Sequence, residues 1–126
     1  MLRQRERALT HLTTAIRLRP GSHMNWLARG WEAAALIGLG RSREAIEAID
    51  AGIALNPTYG QNYIVKALVL KVAGQQTEAI EAVRIAKRLG FDGILAERLL
   101  RRTGPNGSGA AVATIHGLYA AAEDVA

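Results

Sequence analysis

Glu44-Ala45-Ile46-Glu47-Ala48 and Glu78-Ala79-Ile80-Glu81-Ala82 are the same five residues, set 34 positions apart. A fixed interval of this size is what a helix–turn–helix solenoid leaves in a sequence. Each unit is one helical hairpin that cannot bury its apolar face alone, and stacked neighbours cover it. Around the first copy, residues 42–55 carry Ala45, Ile49, Gly52 and Ile53, the i, i+4, i+7, i+8 stripe of an amphipathic helix. Residues 76–89 repeat the stripe in register with Ala79, Val83 and Ala86. The N-terminal segment shows it a third time, as Ala8, Leu12, Ala15 and Ile16. Twelve places after each leading alanine the unit ends, at Pro20, Pro57 and Phe91. Proline cannot continue a helix; in the third case Gly90, just before Phe91, supplies the C-terminal cap.

A partner helix precedes each stripe. Residues 60–73 hold Tyr63, Ala67 and Leu70 before a turn at Gly74, and residues 23–39 hold Trp26 and Gly30 before a turn at Gly40. Trp26 lies 14 residues before its turn and Tyr63 only 11 before its own. The first unit is therefore expected to carry about one extra helical turn, in line with Pro20 and Pro57 lying 37 apart. Ser42 with Glu44, and Thr77 with Glu78, are expected at helix N-termini, where they satisfy free N–H groups and suit the dipole.

Trp26-x3-Gly30, Gly40, Ala45-x3-Ile49 and Pro57, followed by Tyr63-x3-Ala67, Gly74, Ala79-x3-Val83 and Ala86, resemble the tetratricopeptide repeat. The likeness spans about residues 5–102. Departures are Arg29 and Lys66 where the family has leucine, Gly52 where alanine is usual, and Phe91 in place of proline. The resemblance implies an all-α fold, a right-handed superhelix of antiparallel helix pairs with about seven helices. It divides the chain into a repeat array over 1–102: a half repeat at 3–20, repeats at 22–57 and 58–91, and a half repeat at 92–102. In that last piece Ile94, Leu95, Leu99 and Leu100 mark a first helix whose second is missing. A Gly-rich linker follows at 103–109, and residues 110–126, with Val112, Ile115, Leu118, Tyr119 and Ala122, are expected to form a capping helix.

The chain has 126 residues, a formal charge of +5 and no cysteine. Disulfides and thiolate chemistry are thereby excluded, and a reducing, cytoplasmic setting is expected. The N-terminus, Met1 to Arg7, is charged and shows no signal-peptide core. No apolar run approaches the roughly 20 residues of a membrane span. The basic residues are scattered, and no aromatics interleave with them as base-stacking would need, which argues against nucleic acid. Gly104-Pro105-Asn106-Gly107-Ser108-Gly109 has the glycine spacing of a phosphate loop, but Ala110 and Ala111 stand where lysine and Ser/Thr are required. His11, His23 and His116 are too dispersed for a metal site, and no carboxylate is joined to a nucleophile. No enzyme, metal or cofactor is expected.

What remains is a surface. The resemblance puts the first helix of each unit on the inner, concave side. Helical geometry then selects Gln61, Ile64, Leu68, Lys71 and Val72 from residues 60–73. It selects Met24, Leu27, Trp31, Ala34 and Ala35 from residues 23–39 if Trp26 is the packed aromatic, and Leu95, Arg98 and Arg102 from residues 92–102. The result is an apolar trough with a basic end, formed by Met24, Leu27, Trp31, Gln61, Ile64, Leu68, Lys71, Leu95, Arg98 and Arg102. The expected ligand is a peptide, helix or partner domain, acidic where it meets the basic end. Two alternatives stand beside this. Residues 8–16 expose an apolar edge that favours a homodimer, or the chain is the repeat tail of a larger bacterial regulator. The terminal helix is also a candidate to fill the trough.

Overall fold

The computed structural model describes residues 2–19, 25–103 and 108–123. Among the described residues there are seven helices and no strand: α1 (Leu2–Leu18), α2 (Asn25–Gly38), α3 (Ser42–Leu55), α4 (Gly60–Val72), α5 (Gln76–Arg88), α6 (Gly93–Thr103) and α7 (Ser108–Glu123). They fall into two compact units, Met1–Thr58 and Tyr59–Ala126.

In the first unit α2 packs against both α1 and α3. The α2–α3 seam is built from the stripe read in the sequence: Ala45, Ile49 and Gly52 are buried, facing a helix whose buried residues include Ala33 and Leu36. Alanine and glycine at the contact let two helix axes approach closely, while Ile49 fills the remaining space. Removing that isoleucine from water contributes roughly 2 kcal/mol. The second unit repeats the seam: Ala79, Val83 and Ala86 of α5 are fully buried, and Tyr63, Ala67 and Leu70 of α4 are buried too.

Three helix ends close in the same way. Gly40, Gly74 and Gly90 have φ of 78°, 82° and 95°, a region where a Cβ is strained. This left-handed step lets Arg41 N–H reach Leu36 O (2.9 Å), Gln75 N–H reach Leu70 O (2.8 Å) and Phe91 N–H reach Ala86 O (2.9 Å). The glycine N–H groups bond one residue further in, to Ile37, Lys71 and Lys87. These are three copies of the Schellman closure, which satisfies helix-end carbonyls. Phe91 then lays its ring over Gly60, where a Cβ would sit 2.8 Å from the ring.

One expectation is corrected. Ser42 and Thr77 are not caps: the N-cap positions are Arg41 and Gln75, and neither side chain makes a cap hydrogen bond. The glycine closures carry the chain so directly into the next helix that Ser42 and Thr77 already lie inside it. The described part of α2 has 14 residues against 13 in α4, and both run to just before their glycine turn; the extra turn expected of the first unit falls on residues 20–24, which lie outside the described residues. Counted back 34 from Gly74 to Gly40, Ala67 pairs with Ala33 and Leu70 with Leu36, and all four are buried.

At the C-terminal end α6 pairs antiparallel with α7: Gly93 lies by Tyr119, and Glu97 by His116. Asp92 Oδ1 accepts Leu95 N–H (2.9 Å) and so caps α6. The expected linker over 103–109 is shorter, since Thr103 ends α6 and Ser108 begins α7; residues 104–107 lie outside the described residues. α7 also packs on α4 and α5. Val112, Ile115, Leu118, Tyr119 and Ala122 are its buried face, and Lys87 on α5 reaches Glu123 (3.8 Å).

Candidate partner-binding faces

Unit by unit, the open apolar surface of the first helices is narrower than the sequence suggests. On α2 the buried residues Asn25, Gly30, Glu32, Ala33, Ala35 and Leu36 leave one stripe open. Leu27 is half-buried, and Trp31 and Ala34 are exposed, the i, i+4, i+7 spacing of a single face. Trp31 keeps 37% of its surface in solvent. Met24 lies outside the described residues, and Ala35 is buried rather than lining the face.

On α4 the face is closed at one end. Ile64 has no exposed surface and belongs to the core, so it is withdrawn from the predicted trough. Gln61 and Leu68 are half-buried, Lys71 is exposed, and Val72 is 63% exposed. The open patch is therefore Leu68, Lys71 and Val72 at the C-terminal turns. Lys71 donates from Nζ to Gln76 Oε1 across the hairpin, which holds its charge near this patch. On α6, Leu95 and Arg98 are exposed on one side; Arg102 lies in the helix, but its side chain is outside the described residues.

Polar geometry adds features that the sequence reading missed. Arg29 Nη1 and Glu32 Oε1 pair at 2.8 Å, with Glu32 buried. By the 34-residue register they occupy the places of Tyr63 and Lys66, so an ion pair replaces an aromatic–lysine pair. Strict counting back from Gly40 would have found it. Between α4 and α5 a half-open cavity of ≈ 200 Å³ is lined by Tyr63, Lys66 and Leu70 on one side and by Glu78, Glu81, Ala82 and Ile85 on the other. Its lining mixes apolar side chains with Lys66, Glu78 and Glu81, and it has room for one inserted side chain.

Two polar contacts tie α7 to the segment around α6. Glu97 accepts from His116 Nε2 (2.6 Å) and Arg101 Nε (3.3 Å). His116 first and Arg101 second hold its carboxyl below the usual carboxylate range. Tyr119 O–H donates to Phe91 O (2.5 Å). Burial, with the nearby Asp92 charge, pushes its phenol up to about 12. Both are structural: among the described residues no three His, Cys, Asp or Glu side chains gather as a metal site. Nor is any helix among them long and apolar enough to cross a membrane.

No protein-family model matches this sequence, and no curated protein does. Among solved structures, the chain is similar to a MamA RS-1 ArsTM double mutant, with a TM-score of 0.63 and 21% identity. The match covers 99% of this chain and 71% of that one. The neighbour is a tetratricopeptide-repeat-containing protein. At that identity the likeness speaks to fold alone, and it agrees with helical hairpins recurring at 34 residues: this chain has the fold of a tetratricopeptide-type helical solenoid.

Proposed function

We propose that this chain is a non-catalytic protein-interaction module that binds a peptide, helix or partner domain through the open faces of its first helices. One observation carries the reading: Trp31 stands exposed at the centre of the Leu27–Trp31–Ala34 stripe, in a chain with two tryptophans. Tryptophan combines large apolar area with little conformational freedom to lose, and it is the residue type most enriched at binding hot spots. The Leu68–Lys71–Val72 patch of the second unit adds apolar contact with a cation beside it, which favours a partner carrying acidic residues.

The test uses Trp31→Ala and Leu68→Asp in affinity capture from the native lysate, with helicity followed by circular dichroism. Loss of the captured species at full helicity supports the reading; capture unchanged by both variants removes these faces from consideration. A second reading is self-association or service as the repeat tail of a larger regulator. It draws on α1, where Ala8 and Ala15 are exposed and Leu9, Leu12 and Ile16 only half-buried. Light scattering that shows a monomer at high concentration counts against the self-associating form.

A further inference from the structure

The Leu27–Trp31–Ala34 stripe does not end at Ala34. Gly38 continues the same i, i+4, i+7, i+11 line along α2, and the space that a side chain would fill there holds a guanidinium. A Cβ at Gly38 would sit 2.7 Å from Cδ and Nε of Arg5 and 2.9 Å from its Cζ. Arg5 Nη1 donates to Gly38 O (2.9 Å). The cation is thereby fixed on the face itself, about 10 Å along the helix from Trp31.

α1 borders the stripe along its length. At the other end of the pair Asn25 Nδ2 donates to Arg19 O (2.8 Å), so the two helices run antiparallel and are tied at both ends. Arg5, Leu9, Leu12 and Ile16 form the matching line on α1, and all four are half-buried. The seam between the lines is apolar up to Ala34 and positive beyond it. No carboxylate answers that charge. The single acid of α2, Glu32, is buried and paired with Arg29. The single acid of α1, Glu6, acts on Arg41. Among the described residues Arg5 has a carbonyl partner and no carboxylate, and a guanidinium with one N–H so engaged keeps others for an incoming anion.

We propose that this seam binds an acidic peptide segment of a partner protein, with an apolar side chain on Trp31 and a side-chain carboxylate on Arg5. The proposal rests on the reading of Trp31 as a contact residue and adds the chemistry of what it meets. The carboxylate lies about 10 Å from the apolar anchor, which is about seven residues in a helix laid along α2 and about three in an extended chain.

Two short synthetic peptides with that spacing, one helical and one extended, are titrated against the intact chain beside twins that carry lysine for glutamate. Binding is followed at the Trp31 indole N–H and the Arg5 Nε–H by nuclear magnetic resonance. At least one glutamate peptide is expected to shift both signals and to bind at least ~5-fold more tightly than its lysine twin. Arg5→Glu should reverse that preference. Gly38→Ala displaces the guanidinium but keeps its charge and favours the helix; it should weaken the glutamate peptide several-fold at unchanged helicity. Equal binding of the twins, or no glutamate peptide that binds, overturns the proposal. So does an affinity that neither Arg5→Glu nor Gly38→Ala changes: if Arg5→Glu then lowers only the melting temperature, Arg5 serves to close the end of α2. Lysate capture that is lost in Trp31→Ala but indifferent to both variants removes the Arg5 contact and leaves the Trp31 reading standing. Indifference to Trp31→Ala, in capture and titration alike, removes both.

Discussion

Ala79 and Ala8 hold the same place in the same repeating stripe, yet one has no exposed surface and the other faces solvent. Local sequence is nearly identical in intent: alanine, a bulky aliphatic four residues on, and a small residue three beyond that. The difference is the presence of a partner. α4 lies along the α5 stripe, whereas α2 reaches only the Leu12 edge of the α1 stripe. A helix's apolar face is therefore a demand for cover, and its burial depends on what the rest of the assembly supplies.

The sharpest way to break this comparison is to cut the bulky residue out of a covered and an open stripe. Ile49→Ala leaves a cavity in the α2–α3 seam and is expected to cost about 3 kcal/mol of unfolding free energy. Leu12→Ala on half-buried α1 is expected to cost about 1 kcal/mol, and denaturant unfolding of both variants measures the gap. Equal losses would mean that the α1 stripe is covered in solution. Next in size is Gly74→Ala. Its added Cβ meets nothing within 4 Å, so the expected loss of about 1–2 kcal/mol comes from the backbone at φ 82° alone.

Much of this was legible in the sequence. The three stripes, the glycine turns and the final helix all follow from spacing, because a 34-residue period and a 3.6-residue period constrain one another. The register of α2 was not. Trp26-x3-Gly30 matches Tyr63-x3-Ala67 in residue type, but packing follows distance from the turn, and Ala33 with Leu36 is the pair that meets α3. Ile64 was misplaced for a different reason. α4 carries apolar residues on nearly every side, with Ile64, Val65, Leu68 and Val69 in close succession. Periodicity cannot say which of them a third or fourth helix shuts in. Trp31 and Leu27 stand out in the sequence because much of the rest of α2 is small or polar; in the structure Trp31 is exposed and Leu27 half-buried.

Smaller effects separate the closed C-terminal pair from the open N-terminal helix. Tyr119 has its phenol raised from 10.0 to about 12, so the neutral form is favoured in the folded state. The stability it contributes is complete below pH 10 and is lost as pH rises toward about 12. Tyr119→Phe is expected to cost about 1 kcal/mol at neutral pH and to flatten that alkaline limb in thermal melts. Glu97 works in the opposite sense and more weakly, because it is exposed. Its pKa is lowered, so its contribution is present above the ordinary carboxylate value of 4.5 and fades as pH falls below it. Glu97→Gln is expected to remove that acid dependence together with the same small contribution at pH 7. An acid limb identical to that of the wild type would show that the α6–α7 junction does not rely on this carboxylate.

Since the chain has no cysteine, a single introduced thiol reports on one position at a time. Ala8→Cys, Ala45→Cys and Ala79→Cys place it at three equivalent points of the stripe, and the rate of thiol labelling under native conditions tests the account most directly. Ala8→Cys should react at the rate of a free thiol. The other two should lag by at least ~100-fold, because they become accessible only through local or global opening of a hairpin. Three similar rates, or protection at residue 8 equal to that at 45 and 79, would contradict the division between covered and open helices.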